Sequence, residues 1–248
     1  VNGFGAARIR SLGGFAAKLV GPSLSFRISS GFAVLGLILL LMVKEKKVEA
    51  GRTLAQTGLS ELVRDPKILA SGVANFVNSV MYNAVTLFFP VYGSDIGLDE
   101  AEVGIGLTSR GLASTAVRLP VGALTKRVKV LNLMAVGLLL SAATLFAVSN
   151  SVGLVLVSAL MGFQGVAYGV YLTSGNVYVS EEAPRGHKAT AMAMYSMFGN
   201  IGGILGPAAL GVIAERIGAG GALGFSAAVA VLGVALAMAL ARSDTGSP

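Results

Sequence analysis

Few side chains in this sequence can do chemistry, and Arg110 is the most conspicuous. It sits about a third of the way into an apolar stretch. An unpaired arginine in hydrocarbon costs at least ~2.5 kcal/mol. Arg110 is therefore expected to face a wet cavity, an anionic substrate or a partner. The other candidates are amides and phenols. Asn75, Asn78 and Tyr82 recur at helical spacing, as do Gln164, Tyr168 and Tyr171, so each set shares one helix face. Tyr195 and Asn200 lie on different faces of a later segment. Such groups beside apolar walls suit a small-molecule site. They serve equally well as hydrogen bonds between helices.

Several chemistries have no residues to carry them. There is no cysteine, which excludes disulfides, thiolate metal sites and cysteine nucleophiles. The single histidine, His187, lies in the polar stretch EEAPRGHK and is read as a loop residue. No Asp, His or Cys clusters within the apolar runs, as a membrane enzyme would need. No catalytic residue, metal or cofactor is expected, and the chain is read as not an enzyme. The net charge of +7 comes without a basic stripe carrying interleaved aromatics, so nucleic acid is not an expected partner.

The elements that must hold these residues are apolar helices. Of 248 residues, 54% are hydrophobic and 12% charged, with a mean hydropathy of +0.76. A water-soluble domain of this size has too much surface to hide that much apolar side chain. A bilayer accepts it. The expected fold is an all-α membrane protein with about seven spanning helices. Residues 1–23 contain no clean span and are read as the remnant of a helix. A first span covers 24–43. A connector at 44–67 follows, with ten charged residues and a middle that reads as a short interfacial helix. Six more spans are placed at about 68–92, 102–124, 130–148, 152–179, 189–214 and 219–241, each near the ~20 residues a bilayer core requires. Residues 242–248 form a tail.

Charge sets the expected orientation. The connector, the turns at 125–129 and 180–188 and the tail hold twelve Lys and Arg, whereas the alternate turns hold only Arg216. Loop 93–101 is acidic, with Asp95, Asp99 and Glu100. The positive-inside rule places the first set of loops, and the C-terminus, in the cytoplasm.

Two stretches resemble a known family. RLPVGALTKRVK, from Arg118 to Lys129, follows the second of the six spans. It is similar to the loop motif of the major facilitator superfamily, a glycine at a helix end followed by a basic cluster. Arg118, Gly122, Lys126 and Arg127 fall in the corresponding places. Lys126 stands where the family usually has Asp, and Lys129 where a second glycine is common. The segment APRGHKATAMAMYSMFGNIGGILGPAALG looks like helix 11 of that family. It contains Gly202 and Gly206, a GxxxG pair, and Pro207, which permits a bend. Gly165 and Gly169 form a second pair. Small residues at this spacing let helix backbones approach.

The resemblance implies that residues 24–43 are helix 6 and that the next six spans are helices 7–12, one bundle built as a 3+3 inverted repeat. The chain opens on Val1, so a longer protein is expected, with an N-terminal six-helix half as partner. The implied function is secondary active transport of a small molecule by alternating access. A multi-pass protein of the inner or plasma membrane is expected, coupled to a proton or ion. Efflux of drugs or other small amphiphiles is the expected subtype. Uptake of a sugar or organic acid is the alternative, and a non-transporting membrane sensor or interaction protein is the alternative of another class. Arg118 is expected to act in gating, Lys126 and Arg127 in the loop motif.

Overall fold

The computed structural model describes residues 64–184 and 186–243, together with helical positions 30, 31, 34, 35, 38, 39, 41 and 42. The chain divides into two units, Val1–Leu54 and Ala55–Pro248. In the first, all eight described positions are helical and exposed. The expectations for 1–23, for most of 24–43, for the connector up to 63 and for 244–248 lie outside the described residues.

The second unit is helical throughout its described length, apart from short turns. Its first helix, α1, runs Pro66–Asn83. Asp65 caps it by accepting from the Lys67 backbone N–H at 2.8 Å, and Pro66 supplies a first residue that needs no partner for an N–H. A π turn, Ala84–Phe88, joins α1 to α2, Phe89–Asp95. The rod ends at Gly97 (φ 85°). Leu98 N–H bonds Gly93 O at 2.8 Å and Gly97 N–H bonds Ser94 O at 3.1 Å, a closure that glycine allows because it tolerates the left-handed conformation.

Helix α3, Glu100–Leu124, begins at once. Asp99 accepts from the Ala101 and Glu102 N–H groups at 2.8 and 2.9 Å, and its own N–H donates to Glu102 Oε2 at 2.9 Å. The acids of this loop therefore have a local task. They satisfy orphan N–H groups and sit at the positive end of the helix dipole.

Helices α4 (Val130–Ser149) and α5 (Leu154–Glu182) follow, joined by a turn through Gly153 (φ 89°). Helix α6 runs Lys188–Ser243 and is broken at Gly218 (φ 78°, ψ 171°). Its 56 residues would measure about 84 Å if straight, against ~30 Å of hydrocarbon. Gly218 divides it into arms 188–217 and 219–243. The spans placed from the sequence fall on these rods. By length and composition, α4, α5 and α6 can each cross a membrane. The 66–95 rod is divided by its π turn, and α3 carries Glu100, Glu102, Arg110 and Arg118, which lowers its mean hydropathy.

Helix α6 packs on α1 and α4, and α5 packs on α3 and α4. One core, including Phe89, Leu138, Met161, Tyr171 and Leu223, runs through the bundle. A smaller cluster, with Ile68, Val179 and Met194, joins the start of α1, the end of α5 and the start of α6. There the Lys67 Nζ also meets Glu182 Oε2 at 3.1 Å.

The outside of the bundle is apolar. Leu119, Val155 and Leu232 are 85%, 83% and 72% exposed. In water such a surface would drive aggregation; against lipid tails it costs nothing.

Candidate functional site

The polar face inside the bundle has two layers. The first centres on Arg110, ten residues into α3 and so ~15 Å from its start. Its Nε donates to Gln164 Oε1 on α5. Gln164 is buried, and its Nε2 donates to Ser141 Oγ on α4 at 3.0 Å. That second bond fixes the amide so that its oxygen meets the guanidinium. The Arg110 Cζ lies 4.8 Å from the Tyr168 ring centroid and 5.2 Å from that of Tyr82. The rings themselves are 5.7 Å apart and inclined at 32°, so they form one tilted shelf beneath the cation. A cation over aromatic faces gains ~0.5–2 kcal/mol. Among the described residues no carboxylate pairs with it, and Arg110 Nη2 is buried without a hydrogen-bond partner. Tyr82 is 41% exposed, so the cluster opens on one side.

The second layer is a closed ring of hydrogen bonds. Asn75 Nδ2 on α1 donates to the Tyr195 backbone carbonyl on α6 at 2.8 Å. Tyr171 on α5 donates its hydroxyl proton to Asn75 Oδ1 at 3.3 Å. With that proton committed, the Tyr195 hydroxyl donates to Tyr171 across 2.9 Å. Glycines make the space. A Cβ on Gly175 would lie 2.7 Å from the Tyr195 hydroxyl, and one on Gly199 would overlap the Asn75 amide.

The helices meet most closely at small residues. A Cβ at Gly165 would overlap the Arg110 carbonyl, and one at Gly169 would lie 2.7 Å from Ser114 O. A Cβ at Gly202 would overlap the Phe76 carbonyl, and one at Gly206 would lie 3.2 Å from Val80 Cα. Each GxxxG pair thus seats an i, i+4 pair of its neighbour.

A model of the Major Facilitator Superfamily matches residues 71–248. The chain belongs to that superfamily. Two crystal structures of a mutant of the peptide transporter POT share the fold of this superfamily chain. The complex with sulfate gives a TM-score of 0.61 at 15% identity, covering 72% of this chain and 38% of that one. The complex with alafosfalin gives 0.60 at 16% identity, covering 72% of this chain and 39% of that one. This chain therefore spans about two fifths of the length of those transporters. No curated protein sequence matches it.

Seven of the residues singled out in this facilitator-superfamily sequence divide between the two layers. Tyr82, Arg110, Gln164 and Tyr168 come together in the first. Asn75, Tyr171 and Tyr195 come together in the second. Asn78 is buried on α1, and Asn200 is exposed on α6. Arg118, Lys126 and Arg127 are exposed. Gly122 has no described atom within 4 Å of a built Cβ, so among the described residues it makes no close helix contact. Pro207 lies within the first arm of α6. His187 starts α6 by accepting from the Ala191 N–H through its backbone carbonyl at 2.9 Å.

Ser141 and Gly137 escaped the sequence reading. They form a small-xxx-small pair on α4. Ser141 orients Gln164, and a Cβ on Gly137 would lie 2.6 Å from the Tyr171 backbone nitrogen. The signal was present in the sequence, hidden in the leucine-rich run VGLLLSAAT.

An apolar cleft of about 450 Å³ lies between α1 and α6, lined by Val73, Phe76, Phe198 and Leu232 among others. It holds none of the polar groups above, so the chemistry is placed at Arg110 and not there.

Tyr171→Phe separates support from ligand contact. It removes one hydroxyl from the ring and is expected to cost ~1 kcal/mol, a fall in melting temperature of about 2–4 °C. Transport is expected to stay within about twofold, as Tyr171 is fully covered. A collapse of transport with unchanged melting would assign Tyr171 to the ligand instead.

Proposed function

We propose that this chain is the C-terminal bundle of a secondary transporter that moves small amphiphiles by alternating access. A second six-helix bundle completes the cavity. The reading is carried by the Arg110 layer: a cation, an amide and two phenols held near mid-helix in an otherwise apolar bundle, open on one side. A half-buried arginine with no acid paired to it among the described residues is costly in lipid, so the layer faces a wet path. Aromatic walls with few polar groups suit an amphiphile better than a sugar, whose many hydroxyls need many partners. We place the protein in the inner or plasma membrane with the turn at 125–129 and the C-terminus in the cytoplasm, and we assign the direction as export.

The test is flux of a fluorescent amphiphile across proteoliposomes containing the full-length protein. Concentrative movement with an imposed ion gradient supports the reading. Binding without flux would make the protein a sensor on the same scaffold. Orientation is read separately. The sequence has no cysteine, so Ser94→Cys and Arg127→Cys each introduce one thiol. An impermeant maleimide applied to whole cells is expected to label the first and spare the second. Equal labelling of both would overturn the topology.

A further inference from the structure

We propose that the transported molecule is an organic anion, an oxyanion attached to a flat apolar body, with Arg110 as its charge partner. This rests on the transport reading and names its substrate class.

The first argument is charge. Among the described residues, the acids of the second unit all lie at helix ends: Asp65, Asp95, Asp99, Glu100, Glu102, Glu181, Glu182 and Glu215. The helix interiors contain Arg110 and, two turns further along α3, the exposed Arg118. This wall is positive along its length and repels cations. The second is coordination. Arg110 is held by a neutral amide and by ring faces, neither of which cancels its charge. Gln164 cannot turn away to serve another partner, because Ser141 fixes it. The charge is therefore left for something else, and Nη2 is without a hydrogen-bond partner among the described residues. The third is shape. An oxyanion pairs with guanidinium in its plane, through two parallel hydrogen bonds. Tyr82 and Tyr168, whose ring centroids lie 5.2 and 4.8 Å from the guanidinium carbon, put aromatic surface beside that oxyanion for a flat body attached to it. Offset ring contacts of this kind favour an aryl group.

Carboxylate, sulfonate and phosphate monoester share this chemistry, and probes separate them. The experiment measures thermal stabilisation of the full-length protein in detergent by benzoate, benzenesulfonate and phenyl phosphate, against neutral benzamide. At least one acid is expected to bind about tenfold or more tighter than benzamide, in line with a charge-assisted pair. In Arg110→Gln the ratio is expected to fall to about one. Arg110→Lys keeps the charge and loses the fork, so it is expected to retain a reduced preference, which guards against misfolding of the glutamine variant. Equal binding of acid and amide, stabilisation by none of the acids, or a preference that survives in Arg110→Gln would each overturn the assignment. Flux of a neutral amphiphile in the same preparation separates the two readings. If neutral molecules move and anions do not, the substrate class fails and transport stands; if nothing moves, the transport reading fails.

Discussion

Arg110→Ala is expected to lower flux by about 10- to 100-fold while leaving the amount of folded protein nearly unchanged. The loss follows from removing a charge-assisted contact, ~1.5–3 kcal/mol. The stability follows from two opposed changes. The variant frees the bundle of a half-buried cation whose Nη2 has no hydrogen-bond partner among the described residues, a group that costs ~1–3 kcal/mol. It also leaves Gln164 Oε1 buried without its donor, at ~1–3 kcal/mol. These nearly offset, so the melting temperature is expected to move by less than about 5 °C. Flux and melting temperature measured on one preparation decide the matter. Unchanged flux would remove Arg110 from the substrate path, and a large fall in melting temperature would make it a packing residue.

The second large effect is expected at the helix contacts. Gly202→Leu places a branched side chain where even a Cβ overlaps the Phe76 carbonyl. Backbone cannot rotate aside as a side chain can, so α1 and α6 must separate. Overpacking costs ~1–3 kcal/mol and occasionally more, which corresponds to a melting temperature lower by about 2–12 °C. Gly206→Leu meets Val80 Cα at 3.2 Å from its Cβ and is expected to be milder. Gly122→Ala is the control, since nothing described lies within 4 Å of the new methyl. Equal melting of the Gly202 and Gly122 variants would show that α1 and α6 do not meet as described.

The positions of the helices were legible because apolar runs of about 20 residues alternate with short polar turns, and the structure shows what closes their ends. Asp65 with Pro66, Gly97 with Asp99, Gly153 and Gly218 each carry a cap or a left-handed turn that one residue type supplies. The faces were legible too. Asn75 and Tyr82 share a side of α1, as Gln164 and Tyr171 share a side of α5. Depth along the face was not. Midway along α1 the helices close on Asn75, Tyr171 and Tyr195; further along they open around Arg110. A helical wheel projects every residue onto one circle and discards that coordinate. Ser141 was hidden for a related reason. Its role depends on Gln164, 23 positions away, and nothing local to a leucine-rich run reports a partner on another helix. The grip of Gly165 and Gly202 on neighbouring backbone was visible as spacing, but which helix each would grip was not.

The π turn at Ala84–Phe88 has a consequence for how the C-terminal end of its rod is keyed. On an unbroken α-helix, Tyr82 and Tyr92 would point about 80° apart; the turn adds a lag of roughly one residue, about 100°, and sets them on opposite sides. Tyr82 thus stays beside Arg110 while Tyr92 reaches back to donate to Ser151 O at 2.6 Å. One surplus residue works as a phase shifter between two otherwise incompatible attachments. Losing a single codon in this stretch would re-index everything beyond it, and one of the two tyrosines would have to let go.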